Sequence, residues 1–272
     1  MKNNLRRRAS KTYRRLTSGI RQLPDFIIIG VAKGGTTSLF QYLATHPKIA
    51  FSTAKETNYF YNHFDEGLSW YKSYFPLQQW LTNSNSLVGE ASPDYFCRST
   101  TVPKRIENLL PHAKLILLLR NPIDRAYSHY AHRRRKGAEK ETDFKKVAIA
   151  EMQQLTEKLA SFNQNNTQKP TLSCYHLATG LYIIHLQYWL EYFPPEQFLI
   201  IKSEDLFSQP DQIVNQVTEF LELPQVSKQQ FPVYNQGTYD EIDLALREEL
   251  RSFFAPYNQQ LYEFVKCDFG WQ

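Results

Sequence analysis

Two stretches of this chain hold the residue types that grip anions, at the places where a grip can form. Val31-Ala-Lys-Gly-Gly-Thr-Thr-Ser38 follows the apolar run 26–30, and Arg120-Asn-Pro-Ile-Asp-Arg-Ala-Tyr-Ser128 follows the apolar run 115–119. In the first stretch Lys33 brings a cation, Gly34 and Gly35 let the main chain come close, and Thr36, Thr37 and Ser38 fall in the opening turn of a helix. There the backbone N–H groups are unpaired and the helix dipole favours negative charge. A nucleoside-triphosphate loop would place its lysine after the glycines, followed by the hydroxyl that holds magnesium. Here Lys33 precedes them. A magnesium-dependent triphosphatase would also end a buried strand in Asp. This strand ends in Arg120, which cannot ligate magnesium but suits a phosphate. The pair of grips fits one ligand with two separated phosphate-like groups and no obligatory metal.

These residues need a scaffold that brings them to one place. In a parallel sheet the ligand cleft opens beyond the carboxyl ends of the strands, so the residue leaving each apolar run is the one to inspect. The run 26–30 leads to Lys33, 48–51 to Glu56, 87–89 to Glu90, and 115–119 to Arg120. We expect strands over 26–30, 48–52, 87–91, 114–119 and 197–202. Helices are expected over 36–45, 67–75, 102–110, 122–136, 180–193, 209–221 and 241–262, with Leu181, Ile184, Tyr188 and Trp189 forming a buried stripe in one of them. The expected fold class is α/β: a single P-loop-like three-layer domain whose central parallel sheet of about five strands is flanked by helices.

The ordered motifs resemble the 3′-phosphoadenosine 5′-phosphosulfate (PAPS)-dependent sulfotransferases, in the branch with heparan sulfate N- and 3-O-sulfotransferase domains. The resemblance runs through Phe26 to Leu39, Lys55-Glu-Thr-Asn-Tyr-Phe60, Glu90-Ala-Ser-Pro-Asp-Tyr-Phe96, Lys114 to Tyr130, Gly180-Leu-Tyr182 and the closing Phe269-Gly-Trp271. It implies a sulfuryl transfer from PAPS to a hydroxyl, or an amine, of an acceptor, with a carbohydrate expected and a lipid or small metabolite as alternatives. It also implies roles. Lys33, Gly34, Gly35, Thr36, Thr37 and Ser38 would hold the 5′-phosphosulfate, Lys33 standing near the oxygen that gains charge. Arg120 and Ser128 would hold the 3′-phosphate, and Gly237 would lie in the segment that closes over the donor. Glu56 would be the general base, and His132 and Glu90 would contact the acceptor. The chain departs from the family at Asn58, where a histidine is usual, and at Gln236 and Thr238, which replace cations on either side of Gly237. The family's cysteine pair near Gly237 is also absent.

Composition sets the remaining expectations. The chain has 272 residues, 42% of them hydrophobic, and a formal charge of +5. That charge is uneven: residues 1–21 hold eight Lys or Arg and no acid, and without them 24 basic face 27 acidic residues, a formal −3. We therefore expect a basic, flexible N-terminal arm over 1–22 and a sulfotransferase domain over 23–272. The arm lacks the apolar stretch of a signal peptide or membrane anchor. A cytoplasmic protein is expected, with the arm touching an anionic membrane surface at most, and no nucleic-acid partner. Cys97, Cys174 and Cys267 read as reduced thiols, and 161–173 as a mobile loop beside the acceptor. A nucleotide kinase or triphosphatase, and a noncatalytic nucleotide-binding module, are the competing classes.

Overall fold

The computed structural model describes residue 10 and residues 12–80, 86–165, 169–225, 231 and 242–271. Five strands, β1 (Phe26–Gly30), β2 (Ile49–Phe51), β3 (Leu87–Ala91), β4 (Lys114–Leu119) and β5 (Phe198–Lys202), form one sheet in the order β2-β3-β1-β4-β5. All pairs are parallel, with Phe26 beside Gly89 on one side and Lys114 on the other. Side chains alternate between faces along a strand. Ile27, Ile29, Leu115, Leu117 and Leu119 thus enter one core with Tyr182, Trp189 and Phe254. Phe26, Ile28, Ile116 and Leu118 enter the other with Leu39, Leu43, Val214 and Val217. Burial on both faces is why β1 and β4 read as unbroken apolar runs rather than alternating ones.

Most helices fall where expected: α1 (Thr36–Leu43), α3 (Leu68–Lys72), α4 (Val102–Leu109), α5 (Pro122–Arg135), α7 (Tyr182–Trp189), α9 (Pro210–Phe220) and α10 (Leu244–Val265). Between these lie α2 (Tyr59–Asn62), α6 (Phe144–Asn165) and α8 (Ser203–Ser208), which the periodicity did not announce. The 22-residue α6 corrects the loop expected over 161–173, since its first five residues are helical; 166–168 lie outside the described residues. Phe144, Ala148, Leu155 and Leu159 are buried on this helix, and Val147, Ile149 and Met152 pack partly against the same core.

The thiol reading also needs correction. Cys97 and Cys174 form a disulfide, with Cα atoms 5.3 Å apart across 77 residues of sequence. Cys97 lies just past β3 and Cys174 just before α7, so the fold brings together what linear spacing keeps apart. Cys267 is free and exposed. Within the basic arm, Arg14 donates to Thr53 Oγ1 at 2.6 Å, Arg15 pairs with Glu66 at 2.8 Å, and the buried Arg21 donates to the Phe75 carbonyl. Among the described residues no helix is long and apolar enough to cross a membrane.

Candidate active site

One cavity of about 980 Å³ opens at the carboxyl edge of the sheet. Lys33, Gly35, Thr36, Thr37, Ser38, Glu56, Arg120, Ser128 and His132 all line it. A more open hollow between α6 and α10, lined by Met152, Phe253, Glu157, Glu248 and Glu249 among others, has no cation in its wall. It does not suit an anionic ligand.

The first grip is built by backbone. Gly35 caps α1 with φ of 89°, a left-handed conformation that side chains rarely adopt. A Cβ on Gly34 would stand 2.9 Å from the Leu118 carbonyl oxygen, so this loop rests directly on β4. Lys33 itself has φ of 72°, a costly value for a residue with a side chain, and such strain collects at functional sites. Ser203 Oγ donates to the Gly34 carbonyl at 2.6 Å and ties the loop to α8.

The second grip follows from helix capping. Arg120 leaves β4, Asn121 caps α5 by accepting from the Ile123 N–H at 3.0 Å, and Pro122 takes the first helical position, where no N–H is needed. Tyr182 OH donates to the Arg120 carbonyl at 2.7 Å. Ser128 then lies two turns into the helix, on the cavity side. The grips touch: Arg120 Nη1 donates to the Lys33 carbonyl at 3.3 Å.

Glu56 stands across the cavity with its side chain 35% exposed. Burial pushes its carboxyl above the usual range, Lys55 pulls it down, Asp94 raises it, and an Asn58 hydrogen bond and Lys136 lower it. Lys55 was not singled out from the sequence, yet its Nζ donates to Thr37 Oγ1 at 3.0 Å and lies 3.8 Å from Glu56 Oε1. It joins the donor loop to the carboxylate, and burial pushes its own pKa down. His132 is also lowered, by burial and then by Lys33, Lys136 and Arg135. It is a neutral ring at neutral pH, able to donate one hydrogen bond and accept another.

Glu90 is corrected. It is fully buried and does not reach the cavity. Its carboxylate accepts from Thr57 and Tyr71 hydroxyls and, at 2.8 Å each, from Ser92 Oγ and Tyr95 OH. Ser92 Oγ in turn accepts the Asn58 N–H at 3.1 Å. Glu90 therefore holds the segment that presents Glu56. Burial raises its pKa, and the four hydroxyls oppose that rise.

Gly237, with Gln236 and Thr238, lies outside the described residues. The fifth strand supplies residues the sequence reading missed: Ser203, Glu204 and Phe207, just past β5, line the cavity. The strand-exit rule already applied to four strands would have found them. His129 also lines it, with Nδ1 3.0 Å from His176 Nδ1, and burial, Arg125 and His176 lower its pKa to about 2.

The sulfotransferase domain family model matches residues 23–239. Heparan sulfate glucosamine 3-O-sulfotransferase 3B1 of Homo sapiens is 30% identical over 93% of this chain and 66% of its own length. Heparan sulfate glucosamine 3-O-sulfotransferase 6 of Homo sapiens is 30% identical over 93% of this chain and 75% of its own. Membrane-associated sulfotransferase kil1 of Dictyostelium discoideum is 29% identical over 92% of this chain and 67% of its own. The chain thus spans about two thirds of the length of several curated relatives. Among solved structures, a sulfotransferase from Alicyclobacillus acidocaldarius is 28% identical, with a TM-score of 0.67 over 92% of this chain and 99% of that one.

Proposed function

Because this chain belongs to the sulfotransferase domain family, we propose that its cavity takes PAPS as donor and passes the sulfuryl group to a carbohydrate hydroxyl or amine. The observation that carries this reading is the sharing of one cavity by two linked anion grips and a carboxylate of raised pKa. The residues fit the donor: the N–H groups of Gly35 to Ser38 with Lys33 and Lys55 suit a 5′-phosphosulfate, and Arg120 with Ser128 suits a 3′-phosphate. PAPS supplies a sulfuryl group already activated for transfer.

The chain's own residues do the rest. Glu56 accepts the proton of the attacking hydroxyl, and its raised pKa brings it nearer the value a base needs at neutral pH. Lys33 and Lys55 place positive charge where charge develops on the bridging and peripheral oxygens, and such preorganised electrostatics supply most of the rate in loose transfers. These side-chain cations are the basis for proposing a reaction without a metal. Arg120 at a strand end, where a triphosphatase would need an acid, disfavours the kinase alternative.

The acceptor reading draws on the two human relatives, which are named for heparan sulfate glucosamine. Arg135 and Lys136 line the cavity with His132 and Glu56, which suits a sugar bearing negative groups. Incubating the purified chain with PAPS labelled in its sulfuryl group and a panel of glycans, lipids and phenols tests this. Label on a glycan is expected, and label only on a lipid or phenol would overturn the carbohydrate assignment.

We also propose the two-part division at residue 22, a membrane-surface contact of the basic arm and a cytoplasmic location, the last of which the Cys97–Cys174 bridge argues against. Disulfides persist in oxidising compartments and are rare in the cytosol. Alkylation of Cys97 and Cys174 directly in cells therefore decides location: free thiols support the cytoplasm, and an intact bridge overturns it.

A further inference from the structure

Asp124 is the unexpected residue of the second grip. It lies four positions before Ser128 on α5, so the two side chains are neighbours on one helix face, and both line the cavity with Arg120. A bare carboxylate there would repel the anion that Arg120 and Ser128 suit. It is not bare: Arg247 Nη2, from the first turn of α10, lies 2.6 Å from Asp124 Oδ1. The turn that carries Arg247 is fixed by Asp243, whose Oδ1 accepts from the Leu246 N–H at 3.0 Å. A place in the first turn of α5 accounts for an acid at 124 through the helix dipole. It gives no reason for an arginine 123 residues away to meet it.

We propose that Arg247 is a positioning residue of the donor site. By pairing with Asp124 it cancels the carboxylate beside Ser128, and so allows that end of the cavity to accept a 3′-phosphate. The inference rests on the PAPS reading above and deepens it. The Arg247–Asp124 pair is already formed at 2.6 Å, so the proposal requires no movement of Arg247.

Calorimetric titration of the full chain with adenosine 3′,5′-bisphosphate, and with adenosine 5′-phosphosulfate, which lacks the 3′-phosphate, separates the possibilities. Absence of bisphosphate binding by the wild type would end the PAPS reading itself, and this inference with it. Given that binding, Arg247→Ala should weaken the bisphosphate about tenfold or more and leave the phosphosulfate within about twofold. The double variant Asp124→Asn/Arg247→Ala should recover most of the loss, since a neutral amide needs no screening. Arg247→Gln keeps the side-chain stem and serves if alanine disturbs folding. Undiminished bisphosphate affinity, equal losses for both ligands, or a double variant no better than Arg247→Ala would each overturn the proposal; the last would mean direct contact with phosphate.

Discussion

Lys55 Nζ lies 3.8 Å from Glu56 Oε1 while donating to Thr37 Oγ1 at 3.0 Å. A cation next to the carboxylate favours its ionised form, while burial and Asp94 disfavour it. The same ammonium is anchored on the loop that would carry the 5′-phosphosulfate. Lys55 therefore touches both the carboxylate and the donor loop, and it bears directly on the pH profile.

Glu56→Gln removes the proton acceptor and keeps the shape of the side chain. Turnover should fall roughly 100-fold to 10,000-fold, the range typical of general bases. Adenosine 3′,5′-bisphosphate should bind within about twofold of wild type, because Glu56 stands across the cavity from Arg120 and Ser128. Steady-state kinetics with calorimetry check this, and near-normal turnover would remove Glu56 from the role.

The acid limb of kcat/KM should lie above the ordinary carboxylate range, since Glu56 must be ionised to act and its pKa is raised. Lys55→Met removes a lowering influence, so the limb should move to higher pH. Asp94→Asn removes a raising influence, so it should move to lower pH. Shifts of both variants in the same direction would contradict the assignment of this limb to Glu56.

Glu90→Ala should cost stability rather than donor affinity. The substitution strands the buried hydroxyls of Thr57, Tyr71, Ser92 and Tyr95, and a buried polar group left without its partner costs about 1–3 kcal/mol before any relaxation. A lower Tm together with reduced kcat is expected, because the Glu56 segment loses its support. An unchanged Tm would show that the network contributes little.

Replacing Cys97 and Cys174 together by serine opens a loop of 77 residues. Chain-entropy arguments put the loss at roughly 4 kcal/mol. Denaturant unfolding of the bridged and serine forms measures it, and equal midpoints would show that the bridge does not constrain the unfolded chain.

Much of this site was legible because strand exits in a parallel sheet point one way. Lys33, Glu56 and Arg120 each follow an apolar run, and the fold delivers all three to one cavity. Glu90 follows such a run too, but the hydroxyls of Thr57, Tyr71 and Tyr95 come from separate segments, and only their convergence decides that its carboxylate turns inward. The Cys97–Cys174 bridge was hidden for the same reason, since pairing depends on distance in space. The helix α6 escaped notice because its buried apolar residues, Phe144, Ala148, Leu155 and Leu159, are widely spaced in a sequence rich in Gln, Glu, Lys and Asn. Arg247 carried no local motif; its meaning comes from Asp124 on another helix.

The most direct measurement is a crystal structure of the chain soaked with adenosine 3′,5′-bisphosphate. The account predicts the 5′-phosphate on the N–H groups of Gly35 to Ser38 with Lys33 beside it, and the 3′-phosphate between Arg120 and Ser128. A ligand bound elsewhere, or a 3′-phosphate pointing away from Arg120 into solvent, would contradict it.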